Sequence, residues 1–231
     1  MAYAWFEWSL LFLAVWVLVF ATLRRRESRR EMWRTSLWTS LFGLMEPLFV
    51  PAYWRPPSLF DLAARTRFDL ESFLFCFAVG GLAVALYERI ASATHRTIAE
   101  RIRRHPRFHR WFFVSGPLLF AVCYLLTPFN PIYDVLIGLY GGGLATLYCR
   151  PDLARKMLIS AAAFGALYFA CFVTLNLAYP GYVARTWNLS ALSGVLVAGV
   201  PIEEVLFGVG VGFYWSSIYD HLAWRRVKQT T

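Results

Sequence analysis

Carboxylates are the residues most able to do chemistry in this chain, and several sit where charge is otherwise avoided. Glu203 and Glu204 are adjacent inside AGVPIEEVLFGVGVGFYW (198–215). Glu71 opens the apolar run of DLESFLFCFAVGG (69–81), Glu46 lies in FGLMEPLF (42–49), Asp134 in NPIYDVLIG (130–138), and the amide Asn176 in TLNLAYP (174–180). A carboxylate in apolar sequence is costly and commonly marks a functional site facing a bundle interior. Held away from water it can keep, give or take a proton, or carry a cation. Glu71 admits a second reading, as an interfacial carboxylate at a helix N-terminus beside Asp69.

The other common chemistries lack their residues. An E-x-x-H pattern for a di-metal site is missing, as are a glycine-rich phosphate loop after a strand and a G-x-S-x-G elbow. His95, His105 and His109 fall in a basic segment and His221 near the chain's end, and all four read as solvated. Cys76, Cys123, Cys149 and Cys171 are scattered without metal-ligand spacing. The sequence gives no sign of a metal or a cofactor.

The elements that carry these acids are apolar blocks. The chain has 231 residues, of which 58% are hydrophobic and 18% aromatic, and a net charge of +9; mean hydropathy is +0.49. Blocks of about twenty apolar residues are long enough to cross a bilayer as helices. Seven candidate spans follow, at about 5–23, 36–52, 69–88, 111–127, 131–149, 157–178 and 196–218. Nineteen of the 23 Lys and Arg residues lie in segments 24–34, 89–110, 150–156 and 225–228, and the alternate loops hold only Arg55, Arg65, Arg67 and Arg185. This split predicts an all-α, seven-helix integral membrane protein with its N-terminus outside and its C-terminus cytoplasmic. The positive charge is thereby a topology signal and not a nucleic-acid footprint. Arginines, and no cleavage site, follow the first block, which reads as a retained span.

The chain also repeats itself. Shifted by 132 residues, DLESFLFCFAVGG overlays PIEEVLFGVGVGF (201–213): Glu71 meets Glu203, Phe75 meets Phe207, Gly80 meets Gly212 and, further on, Glu88 meets Asp220. With one residue of slip Trp54 meets Trp187, and Glu7 pairs with Asp134 at the front of each half. The expected organisation is a first repeat with a basic cytoplasmic loop (1–110, spans 1–3), a linking span (111–127), and a second repeat with a basic tail (128–231, spans 5–7). Parallel repeats of this kind place a site at their interface. Successive helical residues point about 100° apart, so Glu203 and Glu204 divide. Glu203 falls on the face with Phe207, and Glu204 on a small-residue face with Gly208 and Gly212. Glu71 and Glu203 are expected to face each other or a shared cavity.

GVPIEEVLF (199–207), the aromatic loop YPGYVARTWNLSALSGV (179–195) before it and the paired repeats resemble the lycopene cyclase domain family of membrane-embedded carotenoid cyclases. The resemblance implies acid-catalysed, redox-neutral closure of lycopene ends to β-ionone rings, an intramolecular lyase or isomerase activity without a cofactor. A carboxylic acid protonates a terminal alkene, the neighbouring double bond attacks the tertiary cation, and a base removes a proton. On that basis Glu203 is the acid and Glu71 or Glu204 its partner, while Glu46, Asn176, Asp134, Phe75, Phe207 and Trp187 support them, the aromatic faces shielding the cation. The departures are Asp69 for proline and Ser72 for the second glutamate of the first repeat, and Glu46 and Asn176 where the family often carries aspartate. The implied partners are a hydrophobic polyene, membrane lipid and other carotenoid-pathway enzymes, in the inner membrane. Two alternatives fit the same residues: a non-catalytic carotenoid- or lipid-binding accessory protein, and a proton-coupled transporter.

Overall fold

In the structure, a computed structural model, residues 3–91, 94–99 and 105–228 are described. Part of the basic loop, with Arg101, Arg103 and Arg104, lies outside the described residues, as does the tail 229–231. The chain is mostly helical. Helix α1 (Ala4–Thr22) is followed by α2 (Arg26–Ser40), a 3-10 turn (Leu41–Met45) and α3 (Glu46–Phe49). A loop with a second 3-10 turn (Leu59–Asp61) and α4 (Leu62–Thr66) leads to α5 (Leu70–Ala91), then strand β1 (Thr94–Thr97). Next come α6 (His109–Leu126), α7 (Pro131–Cys149), α8 (Ala154–Ala178) and α9 (Tyr182–Thr186). A hairpin of β2 (Leu196–Val197) and β3 (Val200–Pro201) feeds α10 (Ile202–Trp215), α11 (Ile218–Leu222) and β4 (Arg225–Lys228), which pairs antiparallel with β1.

Among the described residues, five helical segments are long and apolar enough to cross a membrane: Ala4–Thr22, Leu70–Ala91, His109–Leu126, Pro131–Cys149 and Pro151–Ala178. Their outer faces stay apolar, with Leu18, Leu125, Leu126, Leu144 and Leu177 exposed. A helix apolar on every side suits lipid on one face and protein on the other. The other two expected spans take different forms. The 36–52 block is divided between the end of α2, a 3-10 turn and the four-residue α3, broken at Glu46-Pro47. The 196–218 block gives a hairpin and a helix of 14 residues, only about 21 Å of rise. The hairpin turns at Ala198 (φ 50°) and Gly199 (φ 77°), the doubly positive pattern of a type I′ connection. Pro201 then fits the helix start, where its missing N–H costs nothing.

Helix α5 packs on α1 and α2, and α10 packs on α7 and α8. The small residues decide how closely. Gly80 lies against Thr39 of α2, Gly208 against Tyr168 of α8, and Gly212 against the Ser160 carbonyl of α8. The two groups of helices meet where Trp8 of α1 donates to the Cys171 carbonyl of α8 at 3.0 Å. The core there is aromatic, with Trp8 stacked on Phe75 at 5.5 Å and Tyr168 edge-on to Phe207 at 5.7 Å.

Candidate active site

A cavity of about 300 Å³ opens inside this aromatic core. Trp5 and Trp8 of α1, Phe75, Cys76 and Val79 of α5, Tyr168 of α8, and Phe207 and Val211 of α10 line it, and Pro117 and Phe120 of α6 form another wall. Two carboxylates reach it, Glu204 and Glu46. The cavity is therefore apolar with a few polar groups, the usual character of a small-molecule site.

Glu204, in the first turn of α10, is buried and takes three donors. Tyr53 Oη donates to Oε1 at 2.5 Å, Trp187 Nε1 to Oε1 at 2.9 Å, and Tyr168 Oη to Oε2 at 2.6 Å. The donors come from both long loops and from α8, so the carboxylate ties three parts of the chain together. Glu46 is 7% exposed and accepts from Ser72 Oγ on Oε2 at 3.0 Å; among the described residues its Oε1 has no hydrogen-bond partner. Asp69 caps α5 by accepting from the Ser72 backbone N–H at 2.5 Å and from Trp5 Nε1 at 3.4 Å.

Glu71 and Glu203 lie outside the cavity wall. Each is 1% exposed, and each holds the loop before its own helix. Glu71 Oε1 accepts from the Leu59 N–H at 2.7 Å, and Glu203 Oε1 from the Ser193 N–H and from Tyr133 Oη, both at 2.8 Å. These two glutamates share a loop-holding role, while their neighbours Ser72 and Glu204 turn toward the cavity. Of the remaining candidates, Phe75 and Phe207 are on the wall and Trp187 reaches it through Glu204. Asp134 is buried and accepts from Thr127 at 3.3 Å. Asn176 packs near Gly199 and the Ala198 carbonyl, away from the cavity.

The loops that close the cavity pair with each other. Trp54 and Trp187 form a β-bridge, with ring centroids 5.2 Å apart, and the Arg55 and Asn188 N–H groups donate to Thr186 and Tyr53 carbonyls. The sequence reads Tyr53, with Trp54, Tyr182 and Trp187, as loop aromatics of an interfacial belt or a cavity cap; Tyr168 escapes sequence reading, as one more aromatic in α8.

Two of the histidines differ from expectation. His109 and His221 are buried and their rings stack at 4.0 Å. Each Nε2 donates to the other's backbone carbonyl, at 2.5 and 3.0 Å. Cys149 completes a set of three potential ligand atoms within 4.8 Å of one another. The stacked rings and their reciprocal bonds make a clasp between α6 and α11. Burial pushes the His221 imidazole down to about 4; the backbone hydrogen bond with His109 opposes this, and the charges of His109 and Arg150 add to it.

The structure is a mostly helical, lipid-compatible bundle with two carboxylates on an aromatic cavity. The lycopene cyclase family model matches residues 130–222, from the turn before α7 to the end of α11. That stretch is similar to lycopene cyclases, and the match supports a member of the lycopene cyclase domain family. No curated protein and no solved structure matches the chain.

Proposed function

We propose that the protein is a membrane carotenoid or isoprenoid cyclase that closes the ends of lycopene to β-ionone rings by acid catalysis. The observation that carries this reading is that Glu204 and Glu46 share one aromatic, apolar cavity. Ring closure needs a strong proton source, an anion near the developing cation, and walls that exclude water. A carboxyl inside protein supplies the first, an ionised carboxylate the second, and Trp and Phe faces the third, with cation–π attraction adding about 0.5–2 kcal/mol per contact. Atoms and electrons balance within substrate and carboxyls, so the step itself requires no redox partner. Glu203 and Glu71 then serve by holding the loops that bring Trp187, Tyr53 and Trp54 over the site.

The same reading places the chain in the inner membrane as two parallel three-span repeats around a linking span, with the α2–α3 segment and the hairpin–α10 segment as the two interrupted crossings. The charge split between loops and the match of α5 with α10 support it.

The test is expression in a host that accumulates lycopene, followed by pigment extraction. Cyclised product that disappears with Glu204→Gln, at unchanged protein level, is the expected result. Unaltered lycopene with good membrane expression overturns the reading, and pigment co-purifying without conversion would instead favour an accessory binding role.

A further inference from the structure

The two cavity carboxylates are not equivalent, and their hydrogen bonds differ in kind. We propose that Glu46 is the proton donor of the cavity and that Glu204 is its ionised partner, which steadies the cation and removes the final proton. This rests on the cyclase reading above and assigns its two roles.

Glu204 takes two hydroxyls and an indole N–H on its two oxygens. Hydrogen bonds to a charged group are among the strongest a protein makes, and three of them offset much of the cost of burying an ion. Among the described residues, Glu46 has a single hydroxyl donor and an Oε1 with no hydrogen-bond partner. The Trp54 indole lies next to it without normal hydrogen-bond geometry, and Asp69 is a second carboxyl close by. Too few donors and a neighbouring acid are the setting of a neutral carboxyl, because two buried carboxylates side by side cannot both ionise cheaply. The repeat gives the same division from another direction. Ser72 stands at the position of Glu204 in the first half, and it uses its hydroxyl to hold Glu46, which arrives from α3. The first half thus delivers its carboxyl from a neighbouring helix.

In the step, the Glu46 O–H bond breaks as a C–H bond forms on the terminal alkene of the polyene. The next double bond closes the ring onto the tertiary cation. Glu204 takes the proton whose loss forms the ring alkene, and the two carboxyls re-equilibrate with solvent protons before the next closure.

The experiment uses membranes containing the full chain, with lycopene and, separately, its terminal-epoxide analogue, which opens with a weaker acid. Glu46→Gln keeps the shape and can accept the same Ser72 hydrogen bond, so a merely structural Glu46 would be replaced at little cost. Expected is a fall of about 100-fold or more in lycopene cyclisation for Glu46→Gln, within the range of general acid catalysis, with part of the rate kept by Glu46→Asp. On the epoxide, Glu46→Gln should recover at least about tenfold relative to its lycopene rate, and Glu204→Gln should not. Wild-type membranes that form no ring overturn the cyclase reading and this assignment with it. Rings formed at near wild-type rate by Glu46→Gln, or epoxide rescue of Glu204→Gln in place of Glu46→Gln, overturn the assignment alone.

Discussion

Glu88 and Asp220, 132 residues apart, bind the same ammonium. Lys156 Nζ donates to Glu88 Oε1 at 2.9 Å and to Asp220 Oδ2 at 2.7 Å, and all three side chains are buried. Helices α5 and α11 are thus joined through the first turn of α8. Breaking a buried pair by removing one partner costs about 3–5 kcal/mol, so Lys156→Met should sharply lower the unfolding temperature in detergent. Lys156→Met combined with Glu88→Leu and Asp220→Leu should recover much of that loss. A single variant as stable as wild type would show that the bridge does not join the halves.

Glu203 is the acid expected from the sequence, yet its bonds go to the loop at Ser193 and to Tyr133 of α7. Glu203→Gln keeps acceptors for the Ser193 N–H and the Tyr133 hydroxyl, so ring formation should change little. Glu203→Ala leaves both donors unsatisfied, at about 1–3 kcal/mol each, and should lower thermal stability. Abolition of product by the Gln variant at normal expression would return Glu203 to the chemistry.

Stability should depend on pH through His221. Its folded-state value is lowered to about 4 from 6.5, so the unfolded chain binds a proton that the folded chain refuses. Stability is full above pH 6.5 and falls as the pH drops toward 4, by up to about 3 kcal/mol from the linkage of a shift this size. Unfolding in detergent across that window should show the slope, and a His221→Gln chain should lose most of it.

Gly212 touches the Ser160 carbonyl so closely that a Cβ would strike backbone. Gly212→Leu should separate α10 from α8, cost about 1–3 kcal/mol or more as overpacking does, and shift Glu204 away from Tyr168. Loss of ring formation together with lowered melting temperature is the expected pair of readouts, and a variant normal in both would remove this contact from the account.

The apolar blocks and the acids were legible because length and hydropathy act locally. Thus α1, α5, α6, α7 and α8 follow their blocks closely. The interrupted segments were not, because Glu46-Pro47 and the Ala198-Gly199 turn alter helix geometry inside a sequence whose average hydropathy barely changes. Helical periodicity correctly separated Glu203 from Glu204, but it could not say which face met the cavity. That depends on how α10 leans on α8 through Gly208 and Gly212. The His109–Cys149–His221 clasp draws on three elements far apart in sequence, and Lys156 joins two more, so spacing within a motif could reveal neither.

The cavity volume has a consequence for length. An engineered cavity of about 150 Å³ holds benzene, so about 300 Å³ accommodates a piece of ten or twelve carbons. A polyene several times longer must leave most of its length beyond the Trp, Phe and Tyr walls, and it can be worked on only at whichever tip is inside.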